Sequence, residues 1–244
     1  MVASIALASG CTTSLPDLDG AFFAWDDRYV HCAAEIDDAS GIELPDIEAA
    51  LDRARDRGEV LELLVHTPGV TVGMDRLEAV LAAVHERDLP FLTATELANG
   101  HGGAGVALMY DDWHTEQWCA SEDLLARYGA RVTLYVGRYP TMSPEAHAQL
   151  QELAAAGHDV ESHSISHQRG PGYVEKHGLT AYVDDEVLAS IDLLQASGFD
   201  VVSYAYPFGT RTDEIDHAIL ATGRVRFVRA LAKTNELRAD PCPR

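Results

Sequence analysis

Gly105-Val-Ala-Leu-Met-Tyr-Asp-Asp112 runs from a glycine-rich approach through an apolar stretch into two adjacent aspartates. A short apolar run bounded by glycine reads as a strand buried on both faces, the kind found in parallel sheets. The carboxylates fall at its carboxyl end, where α/β barrels assemble their sites. Further along, His158-Asp-Val-Glu161 leads in the same manner into His163-Ser-Ile-Ser-His167. One aspartate oxygen and two imidazole nitrogens form a three-ligand set, which leaves a zinc-like ion one position open for water. That is hydrolytic chemistry.

Outward from these two stretches, helical and strand patterns alternate, as in βαβ units around a parallel sheet. Helices are expected from Pro45 to Arg57, stopped by Gly58, and from Met74 to Arg87, before Pro90. Ser143-Pro144 opens another that stops at Gly157, with serine as N-cap and proline at the first position. Two more run from Asp184 to Ser197 and from Thr212 to Ala221, ending at Gly198 and near Gly223. Strands are expected at Tyr29 to Ile36, Val60 to His66, Phe91 to Thr93, Val106 to Tyr110, Arg131 to Val136, Asp159 to Glu161, Val201 to Tyr206 and Val225 to Val228. This pattern predicts an α/β fold, an irregular (β/α) barrel of seven to eight parallel strands, with an open doubly wound sheet as the alternative. The segment Asn99 to Gly105 is glycine-rich but does not join a strand to a helix as a dinucleotide loop must, and reads as a linker.

The chain of 244 residues suits one large domain, and its 47% apolar content suffices for a core. A net charge of -21 argues against nucleic acid as a partner. Lys176 and Lys233 are the two lysines, and the remaining basic residues are arginines. No apolar run reaches the roughly 18 residues of a membrane span. Val2 to Cys11 resembles the end of a lipoprotein signal but lacks a basic start, so residues 1–19 are either signal and linker or a trimmed N-terminus. Peripheral membrane attachment follows only if Cys11 is lipidated, and the expected location is extracytoplasmic: secreted, periplasmic or lipid-anchored. Cys11, Cys32, Cys119 and Cys242 are far apart without CxxC spacing, which argues against a cysteine zinc site.

From Gly105 to about Ala230 the chain resembles the polysaccharide deacetylases, the NodB-homology or carbohydrate esterase family 4 enzymes. The T-F-D-D motif of that family reads Met109-Tyr110-Asp111-Asp112 here, and H-[ST]-x-x-H reads His163-Ser164-Ile165-Ser166-His167. Its R-x-P-[FY]-G motif reads Ala205-Tyr206-Pro207-Phe208-Gly209. The later motifs of the family lie at the front of this chain. Val60 to Gly69 resembles the late strand carrying the catalytic histidine, and Met74 to Arg87 with Phe91 to Leu97 resembles the closing elements. Cys32-Ala-Ala-Glu-Ile-Asp37-Asp38 takes the place of the fourth motif without its tryptophan. The inference is a circular permutation of a single domain over 20–244, in which residues 20–98 form the second half of the barrel and 105–244 the first; a fragment of a tandem array and a separate N-terminal domain are the alternatives.

The resemblance implies Asp112, His163 and His167 as ligands of one divalent ion, zinc, with cobalt or nickel as alternatives. It implies Asp111 as general base and His66 as general acid, held by Asp37 or Asp38, with Asp37 preferred. Strand alternation suggests that one aspartate of the pair binds the ion while its neighbour faces water. Pro207 and Phe208 resemble the segment whose amide supports the oxyanion. The motif arginine that orients the base is replaced by Ala205, and Arg169 or Arg211 are the candidates to reach in from loops. Trp113, His114, Trp118 and Tyr173 are placed at the mouth, where aromatic faces suit sugar rings. The implied activity is metal-dependent removal of acetyl groups from an N-acetylated polysaccharide or peptidoglycan. The alternatives are hydrolysis of another amide (a cyclic ureide or imide) and a non-catalytic glycan-binding domain with a decayed site.

Overall fold

The computed structural model describes residues 18–100, 102–233 and 239–243. The expectations for Cys11 and the possible signal in residues 1–17 lie outside the described residues. Seven strands close into a parallel barrel: β2 (Val30–Glu35), β3 (Val60–Val65), β4 (Gly105–Asp112), β5 (Thr133–Val136), β6 (Asp159–Ser162), β7 (Ser203–Ala205) and β8 (Phe227–Leu231). Each pairs with the next, β8 returns to β2, and no parallel edge is left open. Helices pack outside, so the strands are apolar on both faces and every residue of β3 and β5 is buried.

Alternation along the strands separates two apolar layers. Ala34, Leu63, Leu108 and Leu134 face outward to the helices. Ala33, Leu64, Ala107, Met109, Tyr135, Ala205 and Phe227 point inward and fill the barrel. The inward positions next in register toward the carboxyl ends carry Glu35, His66, Asp111 and Arg229, so the chemistry sits on top of a packed plug. At the opposite mouth His31 lies between the rings of Phe23 and Phe227, at 4.2 Å from each, and its Nδ1 meets Glu62 Oε1 at 2.6 Å.

Two expectations about elements need correction. Phe91 to Thr93 is not a strand: it makes a single bridge, Phe91 to Val106. Thr93 instead begins the helix Ala94–Asn99, in a capping box with Glu96. The eighth strand is β1 (Phe22–Phe23), two residues lying antiparallel on β3, too short to carry a period of its own. Ser143 caps its helix as expected, accepting from Ala146 N at 3.2 Å. The helix expected from Asp184 starts earlier, passing through a π-helical stretch, Tyr182–Leu188, before Ala189–Ala196.

Cys32 on β2 is bonded to Cys242, at a sequence separation of 210 and with Cα atoms 6.2 Å apart. Cys119 is free. The bond fastens the C-terminal segment, which also receives Arg211 Nη1 on Pro241 O at 2.7 Å. Reduction is expected to lower unfolding free energy by about 2–4 kcal/mol, the usual contribution of a bond closing a long loop. Urea unfolding with and without a thiol reductant measures this, and identical midpoints would contradict it.

Candidate active site

Asp112, His163 and His167 offer three ligand atoms within 4.8 Å of one another. His167 Nε2 lies 3.0 Å and His163 Nε2 3.8 Å from Asp112 Oδ1. His163 Nδ1 faces the Ala205 carbonyl at 2.9 Å, which directs Nε2 toward the carboxylates, as a metal-bound imidazole requires. Burial, together with the neighbouring His167 and Arg229 charges, lowers the His163 pKa to about 4 against the pull of Asp111. Burial alone would raise Asp112, but the His167 hydrogen bond and the surrounding histidines hold it at about 2. At neutral pH both are therefore in the ligand state. The donor set and its outer hydrogen bond fit a divalent ion such as zinc.

Both aspartates turn into the site, which simple alternation forbids. Asp111 Oδ2 stands 3.7 Å from His163 Nε2, as close as Asp112. The cause is a positive φ at Asp112 (φ 89), the last residue of β4, which ends the alternation and brings its side chain back. Ser164 (φ 68), His167 (φ 56) and Phe208 (φ 59) share this uncommon backbone, so local strain gathers at the site. The histidine loop is clamped by Glu186 of the π-helical stretch, whose carboxylate accepts from Ser166 N at 2.8 Å and from Ser166 Oγ. Gly137 lets the histidine loop come close: a Cβ there would sit 3.2 Å from His163 O, tight enough to push on that carbonyl, and 3.6 Å from both imidazole rings.

His66 follows β3, whose Val65 is level with Tyr110, and so it stands beside Asp111. Asp37 Oδ2 meets His66 Nδ1 at 2.6 Å and Asp37 Oδ1 accepts from His66 N at 3.2 Å, whereas Asp38 accepts from Gly73 N. Asp37 is thus the partner. Burial pulls the His66 pKa down, but the Asp37 hydrogen bond and the charges of Asp111, Asp37 and Asp112 carry it up to about 9. The imidazolium, a proton donor, is the form present at neutral pH. A raised value means that the acid persists through neutrality and is lost as pH rises through about 9. Asp37→Asn is therefore expected to move the alkaline limb of the kcat profile to lower pH. It should also reduce kcat on the order of 10-fold to 100-fold, as loss of a histidine's orienting partner does. The comparison is made with both proteins carrying the same ion, and an unmoved limb would refute it.

Pro207 and Phe208 lie in a tight turn after β7. Gly209 donates to Tyr206 O and Thr210 to Pro207 O, and the Phe208 amide takes part in neither bond. The Phe208 ring packs 4.7 Å from His167 and carries Arg169 at 3.7 Å on its face. Arg169 is thereby occupied away from Asp111. Arg211 is buried in ion pairs with Asp216 and Asp213 and orients nothing in the site.

The arginine that reaches Asp111 is Arg229. It is fully buried on β8, and its Nη2 donates to Asp111 Oδ1. Its register partner is Ala205, the position that the motif arginine would occupy, so the guanidinium enters from one strand over at the same height. Sequence reasoning ended the strand at Val228 and placed Arg229 outside it. The available signal was a charged residue in the inward phase of Phe227-Val-Arg-Ala-Leu231. Glu35, the last inward residue of β2, lies inside the expected strand Tyr29 to Ile36, and the same signal of a charged residue in the inward phase marked it.

At the mouth, the Trp113 ring stands 5.3 Å from His167, and His114 Nε2 lies 4.0 Å from Asp112 Oδ2. Trp118 is not at the mouth: it is fully buried, and its Nε1 donates to His66 O at 2.9 Å. Tyr173 packs against His177 and Tyr182.

The polysaccharide deacetylase family model matches residues 98–225, just over half of the chain. No curated protein matches. Among solved structures, IcaB from Ammonifex degensii is 18% identical with a TM-score of 0.59, covering 75% of this chain and 87% of that one. A de-N-acetylase from Aggregatibacter actinomycetemcomitans is 14% identical with a TM-score of 0.57, over 72% and 95% of the two chains. Streptococcus pyogenes deacetylase PplD, solved with acetate, is 17% identical with a TM-score of 0.56, over 68% and 80%. At these identities the likeness is one of fold.

Proposed function

The chain belongs to the polysaccharide deacetylase family, and from that premise we propose that it is a metal-dependent hydrolase releasing acetate from an N-acetylated glycan. Peptidoglycan, a chitin-like chain and a biofilm exopolysaccharide are the substrate classes in view. One observation carries the reading: the ion-binding set, an arginine-held carboxylate and an aspartate-held imidazole converge at one barrel mouth. A divalent ion held by Asp112, His163 and His167 would supply Lewis acidity to the acyl oxygen and acidify a water.

The chain's own residues do the rest. Asp111, fixed by Arg229, takes the proton of the attacking water. The oxyanion of the tetrahedral intermediate accepts the Phe208 N–H. His66, with Nδ1 engaged by Asp37, presents Nε2 to the leaving nitrogen and donates a proton as the C–N bond breaks. Acetate and the free amine result. The decayed-site reading rests on Ala205, and the Arg229 guanidinium on Asp111 at the level of Ala205 supports the catalytic reading over it.

The proposal extends to chain order. β2 and β3, which lead into Asp37 and His66, precede the family match yet lie between β8 and β4. This supports a barrel whose second half was moved to the front. The Cys32–Cys242 bond suits an oxidising compartment and supports an extracytoplasmic location. Among the described residues no helix is long and apolar enough to cross a membrane.

The test is acetate release by protein loaded with zinc, cobalt or nickel, on chitooligosaccharides and peptidoglycan fragments, beside a panel of cyclic ureides and imides. The expected result is glycan deacetylation that a chelator abolishes and added ion restores. Turnover indifferent to chelation, or confined to the cyclic amides, overturns it.

A further inference from the structure

Glu35 ends β2 in the inward phase, after His31 and Ala33, and so points into the reaction chamber. Its carboxylate lies within 4.8 Å of ligand atoms of both Asp37 and His66, and its charge is felt together with theirs and that of Asp111. The other carboxylates there are engaged: Asp37 by His66, Asp111 by Arg229, Asp112 by His167. Among the described residues none donates a hydrogen bond to Glu35. It is half-buried, at the level of the proton donor, and unused by the mechanism above. Asp37 already spends both oxygens on His66, which disfavours an ion shared by the three.

We propose that Glu35 is a substrate-binding residue that receives the N–H of the leaving sugar nitrogen and recognises the ammonium product. The inference rests on the deacetylase reading. Its chemistry follows from the bond changes. The nitrogen of the tetrahedral intermediate takes a proton from His66, becomes positive, and leaves with the electron pair of the C–N bond as a neutral amine. Solvent then protonates that amine. Positive charge therefore appears at this nitrogen twice, and a carboxylate beside the donor favours both states. An ester has no such nitrogen, so its departing oxygen has nothing to offer Glu35.

Glu35→Gln keeps the shape and removes the charge. In the ion-loaded protein it is expected to lower kcat/KM on N-acetylglucosamine tetramer about 10-fold to 100-fold, the worth of a charge-assisted hydrogen bond. Hydrolysis of 4-nitrophenyl acetate should be unchanged. By calorimetry at pH 6, binding of the fully deacetylated tetramer should weaken by a similar factor, and that of the N-acetylated tetramer by much less, because glutamine still offers a neutral acceptor to the amide N–H. Equal losses on amide and ester would mark a merely structural role, and no loss in either arm would also end the proposal. A wild type inert on the N-acetylated tetramer would strike the deacetylase reading instead, and the calorimetric arm would then decide Glu35 by itself.

Discussion

Asp111→Asn is expected to lower acetate release about 10²–10⁴-fold while the protein still binds its ion, the span over which a positioned general base acts. The separation of the two effects follows from geometry. In the proposed site Asp112, His163 and His167 offer the ligand atoms, whereas Asp111 is held by Arg229, with its other oxygen 3.7 Å from His163 Nε2. Asparagine keeps the volume and an oxygen for Arg229 but has no basic lone pair to take a proton from water. The measurement pairs steady-state kinetics with metal content of the dialysed protein. Full activity would remove Asp111 from the mechanism, and loss of metal together with activity would make it a ligand.

The parts of the site that were legible in the sequence are those written in consecutive residues. Asp112, His163 and His167 stand at strand ends, where a glycine or a short apolar run already marks position and direction. His66 and Asp37 required one further step, pairing strands across a break in chain order, and β3 does join β4. What stayed hidden depends on neighbours in space. Arg229 is meaningful only once Ala205 is known to lie beside it, and register between β7 and β8 is not written in either strand alone. The convergence of Asp111 and Asp112 depends on a positive φ at an aspartate, where no glycine announces it. Trp118 and Thr93 were misplaced because an aromatic beside a motif and a β-branched residue after a phenylalanine have two readings, which packing and capping decide.

Arg229→Met should be the most destabilising single change in the barrel, costing about 3–5 kcal/mol, because it strands a buried carboxylate without its partner. Arg229 and Asp111 are 0% and 4% exposed in their side chains, so water cannot replace the guanidinium. Activity should fall as well, since nothing else described holds Asp111 Oδ1. The double variant Arg229→Met with Asp111→Asn removes both charges and is expected to regain most of the stability and none of the activity. Urea unfolding of the four proteins gives the coupling, and additive losses would deny that the pair acts as a unit. The register supplies a sharper arm. Ala205 and Arg229 occupy one level on adjacent strands, so Ala205→Arg in an Arg229→Ala background returns a guanidinium to the same height from the neighbouring strand. Partial recovery of turnover there, absent from either single variant, would show that the requirement is for a cation at that level of the barrel rather than for β8 itself.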